Sequence, residues 1–316
     1  MDVARRTLNV SPMGETEAML ERHIIIHRAF SPRRIAAIAS NTFTELTRLK
    51  VFYFLLLFAL ILIASSLVMA RLTFQQEFQV LKDISLGAMS FFTSLVAIVA
   101  TARILPQEID ERTIHTILAK PVPRIEYLAG KLGGVLLLLA VSTMVMTALF
   151  FAVLYLREQG AFAEVTRQMS GSPQEQVTEA LRVIRAATFN ADLLPGIAII
   201  YIKGALLASL TLFISTFATT NIFTVVVTVF VYFIGHLQAT AREFWLQEQG
   251  GGWLSRTFLG FVALVFPDLQ QFNLTDEIVA GTAIPLALFL KTIALGCFYI
   301  VLYLLLSAAV FTEKEL

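Results

Sequence analysis

The sequence predicts an all-α polytopic membrane protein with about six transmembrane helices. Of its 316 residues, 57% are hydrophobic and 15% are charged, whereas soluble domains average about 45–50% and 25%. Several apolar runs reach the roughly 20 residues that a helix needs to cross a bilayer. The formal net charge of the chain is only +1. We therefore expect the lipid bilayer as a partner, and we do not expect nucleic acid.

The N-terminal part begins with two polar segments. Residues 1–32 contain arginines but no apolar run of signal-peptide length, so we interpret them as a cytoplasmic extension in front of a transmembrane domain at 33–316. From Pro32 to Lys50, apolar residues recur at three- and four-residue steps between basic ends. This pattern predicts an interfacial elbow helix along the cytoplasmic leaflet. A solvated helix of a soluble extension is the alternative.

The apolar runs give the predicted spans in chain order. They are Val51–Ala70, Ile84–Leu105, Leu132–Leu156, Leu193–Thr219, Ile222–Leu237 and Lys291–Phe311. A short polar link at Arg71–Asp83 separates the first two spans. Only Thr219, Thr220 and Asn221 separate the fourth from the fifth, which predicts a tight helical hairpin.

Two polar segments are predicted on the outer side. Residues 157–192 form an outer loop in which Ser172-Pro173 marks a helix start. The helix that follows carries an apolar stripe at Val177, Leu181, Ile184 and Phe189. We expect the stripe to pack against the protein's own spans, to lie on the membrane or to hold an outer partner. Residues 238–290 are predicted as short outer or re-entrant helices, because Leu254–Phe266 is too short to cross.

The long polar passage Arg103–Lys131 separates the second span from the third. Pro106 suits a first helical turn, and acidic residues follow it near the positive end of that helix. Pro121 ends the helix at about Ala119 to Lys120. The result is an amphipathic surface helix, whose apolar side chains are Ile109, Ile114, Ile117 and Leu118. Such a helix between two spans suits docking into a groove of a soluble partner.

The positions of the basic residues predict the orientation of the chain. Arginines and lysines are frequent before the first span and in the passage between the second and third spans. Only Arg71 and Lys82 lie in the first link on the opposite side. Because short basic segments stay in the cytoplasm, we expect both termini and the long polar passage inside. The chain is then a multi-pass protein of the cell's inner, or cytoplasmic, membrane.

Residues in this passage resemble the first cytoplasmic loop of ABC-2 type permeases, the membrane subunits of one class of ATP-binding-cassette transporter. The resemblance rests on Glu108, Thr113-Ile114, Ile117-Leu118, Lys120-Pro121-Val122-Pro123-Arg124 and Gly130-Lys131. The family often has a glycine where this chain has Arg112. Phe266-Pro267-Asp268-Leu269 and Phe272-Asn273 are similar to the outer helices of such permeases, so the likeness covers Arg33 to the C-terminus.

The resemblance implies a permease subunit of an ABC transporter, and of an exporter in particular. Its partners would be ABC ATPase subunits and a second permease subunit, either an identical copy in a homodimer or a paralogue. The loop would carry the coupling helix that contacts the ATPase. The implied coupling residues are Glu108, Glu111, Arg112, Thr113 and Ile117, with Pro121 and Arg124 fixing the exit of the loop. The alternative is a non-transporting mechanotransmitter or anchor that acts on an extracytoplasmic partner through 157–192.

The sequence offers no catalytic constellation of its own. A phosphate-binding loop needs an earlier glycine and a hydroxyl residue after the lysine, but Ile125 and Leu132 occupy those places around Gly130-Lys131. We therefore expect no enzyme activity, cofactor or metal site in this chain, with ATP and Mg²⁺ bound by the partner ATPase. Cys297 is the only cysteine.

Lys203 is the one charged residue well inside a predicted span. A charge at such a depth is costly and marks a functional-site hypothesis. We expect Lys203 to face a substrate path, or to pair with Asp192 or another acid. If its helix begins near Ile197, the lysine instead snorkels to the outer interface. His236 is expected to be interfacial or solvated.

Overall fold

A computed structural model describes residues 31–72, 77–110, 123–247, 267–281 and 284–313. Within these ranges the chain is helical and forms no strand. The helices are α1 (Pro32–Thr47), α2 (Lys50–Leu72), α3 (Glu77–Ala102), α4 (Ile104–Asp110), α5 (Arg124–Gln168), α6 (Gln174–Thr188), α7 (Leu193–Phe217), α8 (Asn221–Gln247), α9 (Thr275–Ala280) and α10 (Leu286–Glu313), with a short 3-10 helix at Leu269–Phe272. The predicted N-terminal extension and the predicted re-entrant helix at Leu254–Phe266 lie outside the described residues.

Six segments of the described chain are long and apolar enough to cross a membrane. They contain α2, α3, α5, α7, α8 and α10, so the predicted number of spans is confirmed. Because the chain reverses direction after each span, α1, α4 and the end of α10 lie at one end of the bundle. We call this end the α1 side. The opposite end, with α6, α9 and the 3-10 helix, is the α6 side.

The helix α7 forms the centre of the bundle. It packs against α3, α5, α8 and α10, and most of its side chains are buried. The outer helices α2, α8 and α10 instead expose large apolar side chains such as Phe54, Ile222 and Phe298. Apolar side chains exposed along spanning helices are those that lipid solvates. Because other helices surround α7, it is apolar on every face, as expected for a buried helix.

Several spans extend beyond the predicted apolar runs. The helix α3 begins at Glu77, so the predicted link at Arg71–Asp83 was too long, and Lys82 lies in a helix and is buried. The last span begins at Leu286 rather than at Lys291. Polar side chains are accommodated in these longer helices where other parts of the fold offer hydrogen-bond partners. The Lys82 ammonium, for example, donates to the carbonyl oxygen of Ala187 at 2.7 Å.

The predicted outer loop at 157–192 is largely a helical hairpin. The helix α5 continues past the predicted end at Leu156 to Gln168, which adds about 18 Å at 1.5 Å per residue. The helix α6 starts after Pro173, as predicted, and packs back on α5. Val177, Leu181 and Ile184 of its apolar stripe are half-buried, whereas Phe189 is exposed and stacks its ring on Phe151 at 6.3 Å. The expectation that the stripe packs on the chain's own helices is confirmed.

The short elements on the α6 side close that end of the bundle. The carboxylate of Asp268 accepts a hydrogen bond from the Gln270 amide and so caps the 3-10 helix. The helix α9 ends at Gly281, whose φ of +73° is the left-handed conformation that favours glycine. Ile278 on α9 is buried against Gly196 at the start of α7. The predicted short outer helices are thus present in the described part of 238–290.

The elbow helix α1 lies against the first turns of α5. Glycines 130, 133 and 134 on α5 face it, and Ala39, Thr42 and Leu46 are its buried side chains. At Gly134 an added Cβ would lie 2.6 Å from the Cβ of Thr42 and 2.7 Å from the carbonyl oxygen of Ala39. Small residues permit such close helix approach in membranes. The glycines therefore fix where the elbow helix docks.

Gly134→Ala should lower the free energy of unfolding by about 1–3 kcal/mol, because the new methyl group overpacks the contact between α1 and α5. Thermal unfolding of the purified protein in detergent measures the change. Gly87→Ala is the matched control, since an added Cβ at Gly87 meets no atom within 4 Å. Equal stability of the two variants would contradict the proposed close packing.

Candidate coupling and intramembrane sites

The first site is an ion cluster on the α1 side, formed by Arg34, Glu45, Glu108, Glu126 and Lys131. Its most enclosed member is Glu126 on α5, whose side chain is 0% exposed. Arg34 donates to both carboxylate oxygens, from Nε at 2.8 Å and from Nη2 at 3.1 Å. The backbone amide of Ser31 donates to Oε1 at 3.0 Å. This bidentate, charge-assisted contact anchors the start of α1 on α5.

The second pair of the ion cluster joins α5 to α4. The Lys131 ammonium forms an ion pair with Glu108, and Glu45 on α1 lies 3.9 Å away. The side chains of Lys131 and Glu108 are only 4% and 11% exposed. Removing one partner of such an enclosed pair leaves a charge with too little compensation. This pair therefore ties the end of α4 to α5, while α4 packs against α3 and α7.

The first turn of α5 also holds the end of the last span. Arg124 donates from Nη1 to the carbonyl oxygens of Phe311 and Thr312, at 2.6 and 2.8 Å. Those carbonyls belong to the C-terminal part of α10, where a cation is favourable. The Tyr127 ring stacks on Phe311 at 6.2 Å. The predicted loop-exit residue Arg124 thus lies at the first position of α5 and binds α10.

The predicted coupling residues fall into two groups. Glu108 and Arg124 are described, and both are bound within the protein. The others, which are Glu111, Arg112, Thr113, Ile117 and Pro121, lie in 111–122, outside the described residues. The structure shows where that segment is attached. It leaves α4 just after Glu108 and enters α5 just before Arg124 and Glu126, so both attachments lie at the ion cluster.

The second site surrounds Lys203, about 15 Å along α7 from its first residue. The residue is only 2% exposed. Its ammonium donates to the Ser90 hydroxyl of α3 at 3.3 Å and lies 3.0 Å from Nε2 of His236 on α8. It also lies 5.8 Å from the centre of the Tyr232 ring. The lysine therefore joins α3, α7 and α8.

The hydrogen bonds of His236 define its tautomer. Its Nδ1 lies 2.9 Å from the Tyr232 carbonyl oxygen, which can only accept, so Nδ1 carries the proton. Nε2 is then free to accept from the Lys203 ammonium. A neutral imidazole, a hydroxyl and an aromatic face together satisfy the buried cation.

Two expectations for Lys203 are corrected by this geometry. Asp192 is not its partner, because that carboxylate accepts from the Ile284 amide at 3.3 Å. The lysine does not snorkel to the outer interface either, because its helix begins at Leu193 and the residue is buried. His236, expected to be interfacial or solvated, is half-buried in the same contact.

Sequence reasoning missed the structural roles of Glu126, Lys131 and His236. A signal for the first existed, because Glu126, Gly130 and Gly134 recur every four residues and so share one helix face. The predicted start of the third span at Leu132 hid this signal. For His236 the sequence holds no comparable signal, because its partner is on another helix, 33 residues away in the chain.

Glu108→Lys should lower the free energy of unfolding by about 3–5 kcal/mol, because it sets two ammonium groups together in an enclosed site. The charge swap Glu108→Lys with Lys131→Glu should recover part of this loss. Recovery should be incomplete, since the carboxylate introduced at position 131 would face Glu45. Thermal unfolding of the purified variants measures both effects. No recovery in the double variant would argue against a direct pair.

His236→Phe should destabilise the protein by about 1.5–3 kcal/mol, because it removes an acceptor from a buried ammonium. Lys203→Met should cost less, and the double variant should be more stable than His236→Phe alone, since no cation then remains to be satisfied. Thermal unfolding gives the ranking. If His236→Phe and Lys203→Met simply add, the two side chains are not coupled.

Comparison with known proteins supplies the family. The pattern of the ABC-2 family transporter proteins matches residues 36–316, which is most of the chain and includes both sites except Arg34 of the ion cluster. A search of curated proteins finds no match. The match agrees with the six membrane-crossing segments and with the resemblance in the loop before α5. The chain is a multi-pass membrane protein and belongs to the ABC-2 transporter family, as a permease.

Proposed function

We propose that this chain is the membrane subunit of an ABC exporter, driven through residues 111–122 by a separate ATPase subunit. The observation that carries the proposal is the attachment of this segment. The described residues on either side of it lie at the ion cluster that joins α1, α4 and α5, and Arg124 beside the cluster binds α10. A push on the segment would therefore act on four helices together rather than on a free loop.

The helix α5 is the element that would carry such a push across the membrane. It runs without interruption for 45 residues, or about 67 Å. Its first turns hold α1, α4 and α10, and its far end holds α6. The path between the two ends is a single helix, so tilting the cluster would move the outer hairpin as well. Glu108 would act here by positioning the end of α4 rather than by contacting the ATPase.

The proposed assembly contains two permease subunits and two ATPase chains. ATP and Mg²⁺ would be bound by the ATPase chains, because nothing in this sequence forms a phosphate-binding loop. The α1 side would face the cytoplasm of the cell, as the basic residues before α2 and around α4 favour. A second permease subunit would cover part of the apolar surface that α2, α8 and α10 expose.

The role of Lys203 follows from its enclosure. In the conformation described, the ammonium is buried among α3, α7 and α8 and does not line an open path. It would contact a substrate only if α8 separated from α7. We propose that this contact holds α7 and α8 together, and that the separation of these two helices is part of the transport cycle.

A mechanotransmitter is the second candidate. It is favoured by the contacts that hold the outer hairpin, formed by the end of α5 and by α6, against α3. The ammonium of Lys82 binds the end of α6, and Arg157 pairs with Glu77 on α3. A hairpin held at these points can transmit motion to an outer protein. In both candidates the ATPase moves this chain through residues 111–122. They differ in whether a substrate or an outer protein changes the ATPase rate.

Charge reversal at Glu111 and Arg112 tests whether the ATPase acts on this chain through residues 111–122. Glu111→Lys with Arg112→Glu should weaken ATPase association and lower the ATPase rate of the complex reconstituted in liposomes by about tenfold or more, since an oriented charge contact is lost. Glu175→Lys in the exposed first turn of α6 is the matched control and should change neither quantity. Pull-down of the ATPase subunit and phosphate release measure the two effects.

If ATPase association and the ATPase rate are unchanged in the Glu111→Lys, Arg112→Glu variant, residues 111–122 are not the segment that couples this chain to the ATPase. If the loop variant behaves as expected but the ATPase rate responds only to an added outer protein, the mechanotransmitter is the correct candidate. Stimulation by a membrane-partitioning substrate in the absence of any outer protein supports the exporter.

A further inference from the structure

A shallow, open groove runs between α2 and α3 on the α1 side. Its walls are almost entirely apolar. They comprise Leu49, Val51, Phe52 and Leu55 on one wall, and Val96, Val99 and Ala100 on the other. Val51 is 46% exposed, so the groove is open to the outside of the bundle. The surface is suited to a hydrocarbon chain lying along the two helices.

One end of the groove is closed by a cation. Arg103 follows Val99 by one helical turn and is the only charged residue among the described residues of the lining. Its Nε and Nη2 donate to Oε1 of Gln107, at 3.1 and 2.7 Å. That acceptor is a neutral amide, and no carboxylate of the described residues forms an ion pair with Arg103. The charge and the remaining donors of its guanidinium are thus available to a ligand.

The position of Arg103 matches the depth of lipid headgroups. It lies in the turn after α3, where that span ends, and α2 begins beside it at Lys50. Arg48 and Lys50 are exposed at the same end. Basic residues at the end of transmembrane helices attract anionic lipids, and basic pockets between such helices bind their headgroups. Apolar walls with a cation at the interface have the polarity of an anionic phospholipid.

We propose that this groove binds an anionic phospholipid of the α1-side leaflet, with an acyl chain between α2 and α3 and the phosphate on Arg103. Charge complementarity selects this occupant. A zwitterionic lipid would fill the walls equally well but would compensate the guanidinium less. A guanidinium binds phosphate oxygens bidentately, and Arg103 lies in the lining of the groove, one helical turn beyond Val99. The lipid would also lie beside Gln107 of α4, next to the segment that enters the ion cluster.

Native mass spectrometry of the full chain tests the site. The protein, purified in detergent, is given equal amounts of phosphatidylglycerol and phosphatidylcholine with the same acyl chains. The wild type should retain phosphatidylglycerol preferentially, and Arg103→Gln should reduce that retention about fivefold, since one basic residue at the interface is worth this factor. Arg33→Gln removes an equal charge from an exposed position of α1 and is the matched control.

A second variant tests the walls without touching the charge. Val51→Trp fills the groove and should reduce the retention of both lipids, whereas Leu57→Trp, at a 57% exposed position outside the lining, should not. Equal retention of the two lipids by the wild type would overturn the proposal. So would equal effects of Arg103→Gln and Arg33→Gln, because a general surface charge would then explain the binding.

Discussion

The fold depends on the enclosed carboxylate of Glu126. A fully buried charge is tolerated only when it is paired and hydrogen-bonded, and here Arg34 and the Ser31 amide supply both conditions. The three groups come from chain segments separated by more than 90 residues. Their contact determines where the elbow helix lies, and the glycines of α5 let it lie there closely. The close packing at the glycines and the ion pair at Glu126 therefore determine the same contact between α1 and α5.

Around that contact the α1 side becomes a rigid junction. Lys131 adds α4, and Arg124 adds the end of α10. In a bilayer, helices gain little from burying apolar surface against one another, because lipid is equally apolar. Polar contacts and close packing therefore decide which helices meet. The Lys203 contact with Ser90 and His236 acts in the same way within the membrane, where it joins α7 to two neighbours.

The two sides of the bundle are held by different sets of contacts. The α1 side is joined by enclosed ion pairs. The α6 side is held by the Arg157–Glu77 ion pair, together with a carbonyl contact of Lys82, a ring stack and short capped helices. Ion pairs therefore stabilise both sides, and the α1 side differs in that the first turns of one helix, α5, hold α1, α4 and α10 together. The Lys203 contact lies between the two sides, where it joins α7 to α3 and α8.

The class of the protein, the number of spans and the family all follow from the amino-acid sequence alone. These depend on apolar run length and on local motifs, which a single chain segment carries. Local signals also predicted the elbow helix and the start of α6. The packed helices, in contrast, were needed to establish that Glu108 pairs with Lys131, that Glu126 holds Arg34, and that Lys203 meets His236 instead of Asp192. The reason is physical. A buried charge takes the partner that helix packing brings within about 3 Å, and helix packing joins residues that are far apart in the chain.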